Sequence, residues 1–378
     1  MKRKVLRISS IILVFIVLSA LFSPRWIIKA LIYQYVGIYD HVLFKTRIIE
    51  TADPQPWPIS KDYNKVKISQ SDLSKFNQYK TIAFVIIQND SLKHESYFDN
   101  HTDTSVSNAF SATKSIVSLL CGVAIDEGKI KSLDQPITDY YPEFSKTRFR
   151  LITIRDLLTM SSGLDWDESY GSLFSTTTKA YYGDDIRKMV LKLTVCCPPG
   201  KDYRYKSGDT ELLAMIIEKA TGKHLADYAS EKLWKPMGAE DNALWYLDHK
   251  DGMEKAYCCF TATARDFARI GQLVLDSGSW KGKQLVSKQY IAEMLTPASN
   301  LTDEKHCNVN YYGFQWWMLN FHGEIIPYAR GILGQYIFVI PSKNAVVVRL
   351  GHERDKEYAG AHPLDVFTYL DVAYKILE

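Results

Sequence analysis

The chain lacks the patterns that mark metal and nucleotide chemistry. No Cys/His set stands at zinc-ligand spacing, no Walker-type glycine-rich loop is present, and there is no His-Glu-x-x-His. The nine histidines are scattered, which suits surface or core roles better than ligation. Chemistry without metal or cofactor is therefore expected. A one-sided charge is missing too: 46 Lys and Arg against 43 Asp and Glu leave +3, which gives no case for a nucleic-acid partner. There is no internal repeat and no low-complexity tract. The composition is that of a folded protein, and 378 residues can bury the core of one large two-lobed domain or two ordinary ones.

The N-terminus carries an address. Lys2, Arg3, Lys4 and Arg7 precede an uncharged run over 8–24, a cationic flank followed by an apolar core. No small-x-small cleavage site or lipobox cysteine follows. The run is slightly short of the roughly 20 residues of a full span, but Trp26, Ile27 and Ile28 could extend it past Arg25. The expectation is a signal anchor over 1–28, single-pass in a bacterial inner membrane, with the bulk facing the periplasm or cell exterior. The alternative is secretion after signal-peptide cleavage. Residues 29–79 then read as a juxtamembrane segment and a proline-bearing linker, with the aromatic and apolar stretch over 26–44 lying along the membrane surface or packing on the main domain, and 80–378 as the main domain.

Six cysteines are spread over the chain. Two adjacent pairs stand out, Cys196 with Cys197 and Cys258 with Cys259, and outside the cytoplasm disulfides are permitted. A bridge between one member of each pair is the candidate cross-link. Cys121, on the apolar side of a helix, reads as buried.

Residues 81–87 are β-branched and apolar and read as a buried strand, with a turn at Asn89-Asp90 and a paired strand over 94–98. Residues 111–127 read as a helix stopped by Gly128. Further helices are expected over 154–160, 184–193, 210–220 and 225–233, and Thr263 to Asp266 resembles a capping box before another. Strands return over 313–319, 336–340 and 345–350, and a last helix covers 363–377. The fold class is α/β (α+β). An antiparallel sheet of about five strands is flanked by helices, beside a mostly helical lobe at about 130–300.

Three clusters carry chemistry. Ser111-Ala112-Thr113-Lys114 sets a hydroxyl and an amine three residues apart, on one face of a helix start. A serine hydroxyl is a weak nucleophile without a base beside it, and the lysine can supply one from the same turn. Tyr205-Lys206-Ser207 follows Pro198-Pro199-Gly200, and a tyrosine hydroxyl next to that lysine can relay a proton. Gly331-Ile332-Leu333-Gly334-Gln335 leads into an apolar strand. Glycines there let a ligand approach the backbone, and a strand N–H together with that of Ser111 would form an oxyanion hole.

Taken together, these elements resemble the serine β-lactamase-like superfamily: class C β-lactamases, DD-peptidases, family VIII esterases and 6-aminohexanoate-dimer hydrolases. The likeness covers about 80–375. Besides the three clusters it includes the Leu-x-x-Met-x-Ser-Gly-Leu stretch at 157–164, Thr221-Gly222-Lys223, the 233–238 segment ending in Pro236-Met237-Gly238, and Thr263 to Asp266. The segment from Asp165 to Tyr170 is similar to a loop of the aminohexanoate-dimer-hydrolase branch in which a tyrosine contacts substrate. The resemblance implies an acyl-enzyme on Ser111, with Lys114 as general base and Tyr205 as proton relay. The amides of Ser111 and Ile332 would hold the oxyanion, and Tyr170, Ser207, Gly331 and Arg330 would be substrate contacts.

Two departures bear on the substrate. Ser207 replaces the asparagine of Tyr-x-Asn, and Ala329-Arg330-Gly331 stands where Lys-Thr-Gly would be. A substrate carboxylate loses its lysine partner unless Arg330 points into the site, so poor turnover of β-lactams is expected. The expected partner is a small-molecule ester, amide or peptide. An esterase or amidase is favoured over a peptidoglycan-related DD-peptidase, a weak β-lactamase, or a non-catalytic sensor domain of the same fold.

Overall fold

Runs of alternating apolar residues build two buried faces of one sheet. In the computed structural model, which describes residues 23–378, strand Thr81–Gln88 turns Phe84 and Ile86 to one side and Val85 and Ile87 to the other. Strands Gln335–Ile340 and Ala345–Gly351 alternate likewise, so both faces need cover. Six antiparallel strands run in the order Ser91–Tyr97, Thr81–Gln88, Ala345–Gly351, Gln335–Ile340, Glu324–Gly331 and Trp317–Phe321. Helix Ala264–Leu275 packs on one face, and helices Gln70–Gln78 and Asp365–Leu377 cover the other.

The first of these helices lies unusually close to the sheet. A Cβ on Gly271 would stand 2.4 Å from Val346 Cγ1, so only glycine lets the helix backbone approach there. Thr263 caps the helix as its sequence suggests, accepting the Asp266 N–H. Asp266 in turn accepts from the amides of Glu240 and Asp241 and from Arg269.

A second antiparallel sheet joins Thr46–Ile49, Ala243–Tyr246, Phe260–Ala262 and Ser107–Asn108. Helix Thr113–Asp126 is buried from Thr113 to Ala124 and packs against helix Ser207–Thr221 of the helical lobe. A helix hydrophobic all round belongs in a core.

Three expectations change. The main sheet has six strands instead of about five. Glu324–Gly331 carries Pro327, which lacks a ladder donor and disguises the strand; its pairing with Gln335–Ile340 begins only at Tyr328. The strand expected over 313–319 runs Trp317–Phe321, because Gln315 at φ 59° breaks the extended run.

The third concerns the N-terminus. Trp26, Ile27 and Ile28 do not extend a membrane span; they belong to a nine-residue helix, Arg25–Tyr33, that packs on helix Thr176–Tyr182. Lys29 pairs with Asp184 at 2.8 Å, and Tyr33 stacks on Tyr182. Residues 29–79 are correspondingly built into the body, with Thr46–Ile49 paired to Ala243–Tyr246. The expected single-pass placement in an inner membrane is corrected: among the described residues no helix is long and apolar enough to cross a membrane. The apolar run over 8–22 lies outside the described residues.

Gly271→Val should destabilise the fold by about 1–3 kcal/mol through overpacking against Val346. Thermal and denaturant unfolding of the variant check this; wild-type stability would show that the helix can move off the sheet at no cost.

Candidate active site

Ser111 sits in a short 3-10 turn, Phe110–Ala112, that feeds directly into helix Thr113–Asp126. Phe110 adopts φ 45°, a left-handed conformation that a buried aromatic residue rarely takes. Its surroundings hold it there. The Phe110 N–H donates to Asn108 Oδ1 at 2.8 Å, and the Ala109 N–H donates to the Phe260 carbonyl at 2.8 Å. The Phe260 N–H returns to Thr113 Oγ1 at 3.2 Å.

One turn on, Lys114 is 1% exposed. Its Nζ lies 3.1 Å from Ser111 Oγ and donates to the Tyr257 carbonyl at 2.8 Å. The same nitrogen lies 5.0 Å from the Tyr205 ring centre and 5.6 Å from that of Tyr257. It forms no ion pair among the described residues. The amides of Ala256 and Tyr257 both donate to Glu211 Oε2, so a buried carboxylate fixes the loop that carries the lysine's acceptor.

Tyr205 packs beside the Tyr312 and Trp317 rings. Ser207 opens helix Ser207–Thr221, and its N–H and Oγ both reach the Glu168 carboxylate, at 2.6 and 2.7 Å. Tyr170 donates to the same carboxylate. Glu168 thus joins two residues expected to meet substrate. Sequence reasoning quoted it inside the stretch from Asp165 to Tyr170 without assigning it a task, because its partner lies 39 residues away.

The third cluster closes the site from the sheet edge. A Cβ on Gly331 would stand 2.1 Å from the Ala109 carbonyl oxygen, so glycine is what lets this strand reach the Ser111 turn. Ile332 and Leu333 follow, with Leu333 at φ 62°. Arg349, fully buried, donates to the carbonyls of Leu333 (3.0 Å) and Gly334 (2.6 Å) and braces this turn from below. Nothing in the sequence motifs marked Arg349.

Arg330 joins the Tyr205 cluster through Trp317, whose ring packs on Tyr205. Strand alternation puts it on the face shared with Ile326 and Tyr328, away from Gly331. Its guanidinium lies 3.2 Å from the Trp317 ring centre and donates to the Ala361 carbonyl at 2.7 Å.

Two cavities adjoin these clusters, and Ser111 lines the first of them. One, about 520 Å³, is lined by Ser111, Tyr170, Ser207, Ile332 and Leu333, together with residues from the N-terminal helix. The other, about 1340 Å³, is lined by Glu168 and Tyr205 and by charged residues including Asp165, Arg204 and Asp303.

The cysteine expectation is overturned. Cys258 and Cys259 are bonded to each other, while Cys196 and Cys197 are free thiols with their sulfurs 3.6 Å apart. The segment carrying Cys196 hydrogen-bonds to the Gly163 carbonyl, whereas the Cys259 carbonyl accepts from Tyr246 in the small sheet, so the two pairs belong to different structural units. Cys121 is buried and free, and burial pushes its thiol up to about 12.

The described residues offer one group of potential metal ligands: Glu218, His224 and Glu254, with ligand atoms within 4.8 Å of one another. Arg187 and Arg47 already hold the two carboxylates, and none of the three lines either cavity.

An antiparallel sheet with a buried Ser-x-x-Lys turn at its edge and a helical lobe beside it defines a penicillin-binding-protein-like α/β enzyme fold. The chain belongs to the β-lactamase family, whose profile matches residues 71–366. It is 28% identical over 309 residues to the 6-aminohexanoate-dimer hydrolase of Paenarthrobacter ureafaciens, covering 78% of each chain. A Bacillus anthracis protein provisionally named as a 6-aminohexanoate-dimer hydrolase superimposes with a TM-score of 0.76 at 22% identity, over 90% of this chain and 92% of that one. A family VIII carboxylesterase superimposes with a TM-score of 0.66 at 17% identity, over 84% and 98%. These two structures share the fold, and the family's named relatives are hydrolases.

Burial raises the Glu211 carboxyl from its ordinary 4.5 to about 8, although the two amides and the nearby Lys255 pull the other way. Asp209, also fully buried, is raised by burial to about 7. The folded protein therefore holds protons here that the unfolded chain releases. This stability is fully present below the ordinary carboxyl range and is lost as pH rises through 7 to 8. Glu211→Gln should flatten part of the fall in melting temperature between about pH 4.5 and 8. A pH profile of Tm identical to wild type would show that Glu211 does not titrate in that window.

Proposed function

We propose that the protein is a serine hydrolase that cleaves an ester or amide through an acyl-enzyme on Ser111. The observation that carries this reading is the 3.1 Å approach of Lys114 Nζ to Ser111 Oγ, within a buried turn that opens on a cavity. Lys114 takes the hydroxyl proton as Oγ attacks the substrate carbonyl carbon. The Tyr257 carbonyl keeps the amine oriented during that transfer.

The negative charge that develops on the carbonyl oxygen falls to the N–H groups of Ser111 and Ile332. The close approach at Gly331 and the Arg349 brace support that role by holding the strand edge against the serine turn. Collapse breaks the bond to the leaving group, which receives its proton through Tyr205. Water then attacks the acyl-enzyme, with the same lysine and tyrosine moving its proton.

An esterase or amidase is favoured over a β-lactamase. Arg330, which stands beside the position of the missing lysine, is engaged with Trp317 and the Ala361 carbonyl. The 28% identical relative is named for hydrolysis of the 6-aminohexanoate dimer, and a structural neighbour is named as a carboxylesterase.

Ser111→Ala should abolish fluorophosphonate labelling and turnover of p-nitrophenyl butyrate with no change in the thermal melt. Lys114→Ala and Tyr205→Phe should each slow acylation by about 10²–10⁴-fold. Intact mass and stopped-flow acylation rates check this. Labelling that survives in Ser111→Ala would move the nucleophile elsewhere, and near-normal acylation in either other variant would remove that residue from its role.

A further inference from the structure

The smaller cavity, which Ser111 lines, differs in chemistry from the larger one, which Tyr205 lines. Not one Asp, Glu, Lys, Arg or His is among the described residues that line it. Its polar groups are uncharged hydroxyls, thiol-derived sulfur and one amide, Gln34; much of the rest is aliphatic or aromatic. Part of its wall comes from the chain's own N-terminal segment, where Ala30, Leu31, Tyr35 and Val36 line it together with Leu173 and Tyr181. Leu31 is 54% exposed and Tyr35 86%, an apolar lip that nothing described here covers.

The position of Tyr205 assigns the two sides. It lines the larger, charged cavity and not the apolar one. A leaving group that takes its proton from Tyr205 departs into the charged cavity. The acyl part, bound to Ser111 Oγ, is left to the apolar chamber.

Resting on the acyl-enzyme reading above, we infer that this chamber is an acyl pocket for an uncharged, medium-length aliphatic or aromatic acyl group, and that residues 30–36 set its selectivity. Each methylene buried there should raise kcat/KM by about fourfold until the chamber fills. An acyl group ending in a carboxylate must shed its hydration with no cation to receive it, and should be disfavoured on the order of tenfold or more.

The test uses the full chain and p-nitrophenyl esters from acetyl to octanoyl, with the hydrogen adipate ester set against the hexanoate. Wild type should prefer hexanoyl or octanoyl over acetyl and reject the adipate relative to the hexanoate. Leu31→Glu, at a position more than half exposed, should lower the octanoyl-to-acetyl ratio by about tenfold or more. Leu31→Trp, which fills part of the chamber, should move the preference toward shorter acyl groups. A flat chain-length profile, equal turnover of adipate and hexanoate, or an unchanged ratio in both variants would overturn the acyl-pocket assignment while leaving the hydrolase intact. Loss of all turnover together with absent fluorophosphonate labelling of Ser111 would instead overturn the hydrolase reading, and this inference with it.

Discussion

The hydrogen bond from Lys114 to the Tyr257 carbonyl is the constraint on which the site is built. A buried amine is tolerable only when its hydrogens find acceptors. Here a backbone carbonyl and the Ser111 hydroxyl provide them, with two aromatic faces nearby. Among the described residues no carboxylate is paired with the nitrogen. The cost is transferred inward: the carbonyl must be held in place, and Glu211 does so by accepting the successive amides of Ala256 and Tyr257 just before it.

Around that bond the backbone is held in unusual conformations on both sides of the nucleophile. Phe110 and Leu333 both take positive φ, one just before Ser111 and one just after Ile332. Such residues persist only when their surroundings over-determine them. The small sheet pins the first through Phe260, and Arg349 pins the second. Gly331 lets the two turns touch. The small sheet includes a strand from the N-terminal region, so residues outside the apparent catalytic domain help to position the serine.

The parts that were legible in the sequence are local. Ser111 and Lys114 stand three apart on a helix start, so their proximity follows from helical geometry alone. The capping pattern at Thr263, the Gly128 helix stop and the apolar run in 81–87 are likewise decided within a few residues. The parts that were misread depend on partners far along the chain. Arg330 is held over Trp317 and by the Ala361 carbonyl 31 residues on, a placement that no motif shows. Glu168 was passed over because Ser207 is its partner. The cysteine pairs looked matched, yet the bond lies within one pair.

The amino-acid sequence by itself determined the Ser-x-x-Lys turn, the family, and the strand and helix types that carry them, because each is set by short-range spacing and apolar periodicity. Only the tertiary structure decided what surrounds the serine: which carbonyl holds the lysine, which arginine braces the opposite turn, and that residues 30–36 wall an uncharged chamber. Those relations join segments tens to hundreds of residues apart. They exist only once the sheets have packed and the N-terminal helix has docked, and no local pattern encodes them.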